Sequence, residues 1–409
     1  MDVILDYADQ LVFDKFYSSL PAVSIPNLTD GIVALPSLLA SFHASLSTLS
    51  VKDGLSLMAQ GFVDHSQAGS FQLNHLARDS ILRQSFSLFW LTFFGACLMY
   101  FVFSSLSYFL MFDKTQMKHP KFLKNQIKLE IQMSCVALPW IALMTFPWFL
   151  GEVRGYSRLY TDIHSTHNMA GASPADILRE TVGGTASAAS TIANISDATS
   201  SLSSTLGPLA PLVEPLLDGW AFVAISIAAF LFFTDCGIYW IHRLLHHPFV
   251  YKRLHKPHHK WIIPTPYASH AFHPVDGYLQ SVPYHLFVFV FPMQKYIYLG
   301  MFVFVNLWSV LIHDGEFLMP NEVVNGAAHH SIHHLYFNYN YGQYFTFWDR
   351  VGGSYRVPTE EQLNPKKRMD KKTWSQQAKA VETFDENGKP TAASGERFLG
   401  PSKAKSVKA

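Results

Sequence analysis

Gly219-Trp-Ala-Phe-Val-Ala-Ile-Ser-Ile-Ala-Ala-Phe-Leu-Phe-Phe-Thr-Asp235-Cys-Gly-Ile-Tyr-Trp-Ile-His242-Arg-Leu-Leu-His246-His247 decides the fold, because an apolar run runs directly into histidines. Residues 219–241 are long and apolar enough to read as a membrane span, and the turn that follows delivers His242 at its end. Two further clusters lie downstream, His255-Lys-Pro-His258-His259 and His329-His330-Ser-Ile-His333-His334. Of the 20 histidines, 14 fall within the 93 residues 242–334, so composition alone marks a site there. On a helix, positions i, i+3 and i+4 share a face, so each cluster can present two or three imidazoles to one point. Three such faces converging make a metal cage.

Imidazole suits zinc, copper, iron and nickel, and a single tetrahedral zinc takes only four ligands, so eight or nine histidines argue for two metals. The boxes supply His242, His246, His255, His258, His259, His330, His333 and His334. Two metals that each keep a position open need about nine nitrogens. His313, at the end of a later apolar segment, is the expected ninth, with His329 and His273 as its rivals.

With 49% hydrophobic and 15% aromatic residues, the chain reads as an all-α integral membrane protein rather than a soluble one. Cys97, Cys135 and Cys236 lie in apolar segments at spacings that suggest neither a disulfide framework nor a thiolate metal site. Residues 1–84 carry eight acidic and four basic side chains, with no basic stretch leading into an apolar core. They are expected to form a lumenal or interfacial region without a cleavable signal, with 31–51 as an interfacial segment.

Residues 85–112 hold no charge, and 131–150 form a second uncharged run that contains Pro139 and Pro147. Between them Lys114, Lys118, Lys121, Lys124 and Lys128 place the connection in the cytosol, so 85–150 reads as two spans joined by a basic loop. Residues 151–218 carry seven acids against three basic residues and a Ser/Ala/Thr-rich stretch, which predicts a flexible loop on the opposite side. The segment 279–312 is broken at Pro292 and Lys295 into pieces shorter than a straight crossing needs. It is therefore expected to dip in and return, keeping the third histidine cluster on the side of the first two. Beyond 358 the tail is basic and without apolar periodicity, as a cytosolic extension would be. The expected architecture is about four membrane-embedded helices or hairpins, with a cytosolic helical cap over the dimetal site and a catalytic region at 219–358.

The three boxes, in this order, resemble the fatty acid hydroxylase superfamily of membrane di-iron oxygenases. The words around them, Phe233-Thr-Asp-Cys-Gly, Tyr251-Lys-Arg-Leu-His-Lys-Pro-His-His-Lys, Thr265-Pro-Tyr-Ala-Ser-His-Ala-Phe-His-Pro-Val-Asp-Gly and Tyr339-Asn-Tyr-Gly-Gln-Tyr-Phe-Thr-Phe-Trp-Asp-Arg-Val-Gly-Gly, look like the fungal sterol C-5 desaturases. The likeness runs from about residue 85 to 358; His329 and the long 151–218 loop depart from the family pattern. The resemblance implies a multi-pass enzyme of the endoplasmic reticulum membrane, its active site facing the cytosol. It would use O2 and two iron ions to place the 5,6 double bond in a delta-7 sterol such as episterol, in ergosterol biosynthesis. Electrons would come from NAD(P)H through cytochrome b5 and its reductase.

Hydrogen removal from an unactivated C–H bond needs a metal that changes oxidation state, which zinc cannot do and paired iron can. The imidazoles must also be held neutral and correctly rotated by partners on their outer nitrogens. Asp235, Asp276, Asp314, Glu316 and Asp349 are the candidates for that task, and His270 and His273 are candidates for a place beside the metals or the substrate. His285, alone in an apolar stretch, is expected to be packed, and the aromatic run 336–345 to anchor at the interface or line a lipid entrance. A sister oxygenase acting on a sterol 4-methyl group or a fatty acyl chain would use the same boxes. A metal transporter or intramembrane protease fits less well, since His-Glu-x-x-His is absent and the first two spans lack ionisable residues. Nothing supports a nucleic-acid role.

Overall fold

The computed structural model describes residues 1–19, 24–25, 71–72, 76–161, 163, 219–315, 322–358 and 372–375. The chain forms two compact units, Met1–Leu91 and Thr92–Ala409. In the first, helices α1 (Asp2–Ala8) and α2 (Asp14–Ser19) flank a π-helical turn, and β1 (Ser24–Ile25) pairs antiparallel with β2 (Phe71–Gln72). Buried Arg83 gathers this unit: its guanidinium reaches Asp9 at 3.1 Å and also pairs with Asp14, and its carbonyl accepts from Tyr17 Oη at 3.2 Å. A charge buried this deeply needs such partners.

Three long helices are apolar enough to cross a membrane: α3 (Ile81–Leu110), α4 (Gln126–Val153) and α5 (Gly219–Leu245). At 1.5 Å per residue they are about 40–45 Å long. α4 extends past its apolar run at both ends, α3 at its start and α5 at its end, because the helical ladder continues into polar residues. Leu98, Phe109 and Leu110 on α3, Val136 and Trp140 on α4, and Trp220 and Phe232 on α5 face outward with more than half their surface exposed. Apolar surface of that extent on a folded chain calls for lipid. The two prolines stay within α4 without ending it.

Helices α6 (Pro248–Leu254), α7 (Pro274–Val290) and α8 (Lys295–Leu311) follow, then α9 (Ala327–Tyr336) and α10 (Phe347–Val351). The core between α5, α7 and α8 is built from Phe230, Ile238, Phe287, Val288, Tyr298 and Val305, closed by Met293 at the turn and by Tyr344. α7 and α8 are the two arms of the expected hairpin, with the turn at residues 291–294. Asp276 at the start of one arm and His313 just past the end of the other both lie against the histidines, so the segment returns to where it set out.

At the tip, β3 (Leu159–Tyr160) pairs in parallel with β4 (Met293–Gln294). The start of the 151–218 segment is thus fastened to the hairpin turn, where the sequence reading expected a flexible loop. Its remainder, the 31–51 segment, Glu316 and most of the basic tail lie outside the described residues. All three cysteines are free.

Candidate metal centre

α5 carries His242 in its last turn and His246 one turn on, while the second box is not helical as expected. His255 ends α6, and His258 and His259 sit in a 3-10 turn that follows Pro257. The third box lies on α9, and His313 stands two residues past α8. The structure sorts these side chains into two groups. His242, His246, His255, His259 and His333 form one and His258, His313, His330 and His334 the other, with the nitrogens in each within 4.8 Å of one another.

Each box was expected to aim at one point, and the second and third instead divide between the groups. On α9, His330 and His334 are four residues apart, about 40° around the axis, and turn together toward the group of four. His333 stands about 100° from His334 and reaches the group of five. His258 likewise parts from His255 and His259. One short segment thereby serves two neighbouring centres.

Four of the outer ring nitrogens are tied to oxygens that only accept. His242 Nδ1 lies 3.0 Å from the Tyr341 carbonyl, His255 Nδ1 2.7 Å from Asp276 Oδ2, His333 Nδ1 2.8 Å from the Tyr339 carbonyl and His313 Nδ1 2.6 Å from the Ser309 carbonyl. Each Nδ1 must therefore carry the proton, which leaves a bare lone pair on Nε2 of the neutral ring. His242 Nε2 and His255 Nε2 are 3.1 Å apart, so with both rings neutral lone pair faces lone pair. A cation between them resolves that contact.

The remaining contacts have the same length. His259 Nε2 is 3.1 Å from both His246 Nε2 and His333 Nε2, and His330 Nε2 is 3.0 Å from His313 Nε2 and 3.1 Å from His334 Nε2. A metal about 2.1 Å from each nitrogen separates ligands at right angles by about 3.0 Å, against about 3.4 Å at the tetrahedral angle. Spacing and donor chemistry therefore both fit a metal with more than four positions.

Burial holds these rings neutral. It pushes His258 and His313 down to about 3 and His259, His330, His333 and His334 well below the ordinary histidine value, with neighbouring imidazoles adding to the effect. Unfolded histidines take up protons below about pH 6.5, while these folded ones refuse them, so acid favours the unfolded state. The unfolding midpoint of the metal-free chain is expected to fall between pH 7 and pH 5. A midpoint that held or rose would contradict the buried, neutral cluster.

The other expected site residues have separate places. Asp276 is fully buried on His255 and is also held by Gln280 Nε2 at 2.8 Å. Asp235 accepts the backbone N–H groups of Gln343 and Tyr344 at 2.9 and 2.7 Å, and Asp349 those of Tyr341 and Gly342 at 2.8 and 2.9 Å. Both hold the loop that supplies the carbonyls of residues 339 and 341. Asp314 is buried beside His313 in the chain.

His273 belongs to neither group, because its Nδ1 caps α7 by accepting from the Val275 N–H at 3.2 Å. His329 is also outside both, packed on Tyr355. His270 pairs with Ser269 Oγ at 3.0 Å and packs on Tyr100 and Phe272. His285 is buried against Trp148, Phe149 and Phe302.

A model of the fatty acid hydroxylase family matches residues 227–354, a span that holds every histidine of both groups. Over 387 residues the chain is 43% identical to a probable Delta(7)-sterol 5(6)-desaturase of Neurospora crassa, with 93% of each chain covered. The chain belongs to the Delta(7)-sterol 5(6)-desaturase family. A Delta(7)-sterol 5(6)-desaturase of Aspergillus fumigatus is 40% identical over 94% of both chains. The lathosterol oxidase of Mus musculus is 45% identical over 76% of this chain and 87% of its own. No solved structure matches.

In this desaturase family member, the parts of the site that sequence reading missed are backbone carbonyls, which have no side-chain signature. The aromatic run 336–345 was read as interface anchors or a lipid entrance, and the structure makes it the loop that orients His242 and His333. The one legible sign was Gly342. A Cβ there would lie 2.4 Å from the Phe345 carbonyl and 3.0 Å from Asp349 Oδ2, so only glycine lets the loop close on the carboxylate. Gly342→Ala is expected to cost about 1–3 kcal/mol, measurable as a lowered unfolding midpoint, and an unchanged midpoint would show that the loop has room.

Proposed function

We propose that the chain is an O2-dependent sterol C-5 desaturase that introduces the 5,6 double bond into a delta-7 sterol such as episterol, in ergosterol biosynthesis. Two iron ions would be held by the group of five histidines and the group of four. The facing lone pairs of His242 and His255 carry this reading, supported by relatives that are named sterol desaturases. When bound, paired iron supplies the redox chemistry with O2 that taking hydrogen from an unactivated C–H bond requires. Overall, O2, two donor electrons, two protons and two sterol hydrogens give the double bond and two waters.

The chain's own task is to keep nine imidazoles neutral, rotated and dry. Trp261 donates its indole N–H at 3.0 Å to the Ala271 carbonyl, which also lies 3.4 Å from His258 Nδ1, while Tyr251 and Phe337 pack on His259. Sterols of cells that lack the protein test the reaction. Accumulated delta-7 sterols without the 5,6 bond support it, 4-methyl sterols would overturn it in favour of a C-4 methylsterol oxidase, and missing hydroxy fatty acids in favour of a fatty acyl hydroxylase.

The same reading places the chain in the endoplasmic reticulum membrane. Three helices cross it, the α7–α8 hairpin dips in, and the catalytic region 219–358 faces the cytosol with the 359–409 tail. Residues 1–84 and the 151–218 loop are lumenal. Exposed Lys252, Arg253 and Lys260 beside the second box support this polarity, as does the charge bias of the loops. Electrons would arrive from NAD(P)H through cytochrome b5 and its reductase. In sealed microsomes a carboxyl-terminal tag is expected to be digested by added protease, and a protected tag would overturn the arrangement.

A further inference from the structure

The carbonyl that receives His242 Nδ1–H belongs to the peptide unit between Tyr341 and Gly342. The N–H of that same unit donates to Asp349 Oδ2 at 2.9 Å. Carboxylate, peptide and imidazole therefore stand in line, although Asp349 touches no histidine. We propose that Asp349 is a positioning residue that orients and polarises His242 through this one peptide unit. The proposal rests on the metal reading above.

A peptide bond is conjugated, so negative charge at its N–H shifts electron density onto its oxygen and strengthens the bond that oxygen accepts. Hydrogen bonds in such chains reinforce one another by roughly 10–30%. Asp349 is fully buried, and its other oxygen takes the Tyr341 N–H and the Ser354 hydroxyl, both at 2.8 Å. Burial pushes its carboxyl up to about 6, which leaves it ionised at neutral pH.

The contrast within the loop singles out this unit. Behind His333, the N–H of the unit between residues 339 and 340 donates to the neutral Ser354 carbonyl at 2.9 Å. Asp235 also accepts three loop N–H groups, but the carbonyls of those peptide units receive the Asn325 side chain, Trp308 and the Asn325 backbone N–H, not an imidazole. His255, the close neighbour of His242, has Asp276 directly behind it. Both rings of the facing pair thus have a carboxylate behind them, one direct and one relayed.

Asp235 supplies the control, since it is equally buried and holds the same loop. Cobalt(II) is titrated into the metal-stripped full chain in detergent and followed by visible absorption. Asp349→Asn is expected to weaken one of two cobalt equivalents about tenfold and shift its spectrum, the lower end of what partners of metal-bound histidines contribute. Asp235→Asn is expected to lower the unfolding midpoint and to weaken cobalt binding by much less than Asp349→Asn does.

Equal weakening in both variants would overturn the relay, because loop support alone would explain it, and wild-type affinity in Asp349→Asn would overturn it too. Ser354→Ala decides the matter if Asp349→Asn fails to accumulate. It removes a hydroxyl that helps keep Asp349 ionised and keeps both amides, so one cobalt equivalent is expected to weaken by less than about tenfold at neutral pH and to match wild type at about pH 8, and a difference that persists there would overturn the relay. A wild-type chain that takes up no cobalt would overturn the metal reading as well, which the variants alone cannot do.

Discussion

His313→Ala is expected to abolish sterol desaturation and to weaken the group of four by more than the roughly 100-fold that loss of an outer partner costs, while the protein still accumulates. His313 offers Nε2 at 3.0 Å from His330 Nε2, with its other nitrogen held by the Ser309 carbonyl. With only four nitrogens in that group, no spare donor replaces it. His329→Ala is the matched control: next to His330 in the chain and buried, it packs on Tyr355, and its loss is expected to leave substantial activity. Sterol analysis and bound metal, measured on both variants, decide between them. The reverse outcome would move the ninth nitrogen to the third cluster and leave the hairpin end only structural.

The second large effect belongs to Asp276. Its carboxylate lies directly on a ring of the cluster, at 2.7 Å from His255 Nδ1. Asp276→Asn keeps the shape and one accepting oxygen and removes the charge, so metal affinity is expected to fall about 10–100-fold with activity following it. Asp276→Ala leaves the His255 N–H buried without an acceptor and is expected to cost a further 1–3 kcal/mol of stability, roughly. Wild-type affinity in Asp276→Asn would mean that the charge does nothing for His255.

What the sequence made legible followed from side chains with strong periodic or compositional signals. The three long helices showed as long apolar runs, and the histidine boxes as a concentration no other stretch approaches. The hairpin followed from segment lengths, since two short apolar pieces had to return His313 to the side of His242. The division of the second and third boxes between two groups did not show, because helical spacing reports a shared face and not how wide that face is. His273 looked like a site residue only because its neighbours were, and its ring serves as a helix cap. Asp235 and Asp349 act on peptide N–H groups far along the chain, a pairing that no local pattern encodes.

The metal content of the purified full chain, beside that of His258→Ala, tests the two-centre site most directly. His258 contacts the rings of His313 and His334 in its own group and of His255 and His259 in the other, so its loss cannot be silent. Two iron ions per wild-type chain are expected, with a clear loss of iron and of desaturation in His258→Ala. Unchanged metal content and activity in that variant would contradict the histidine cage.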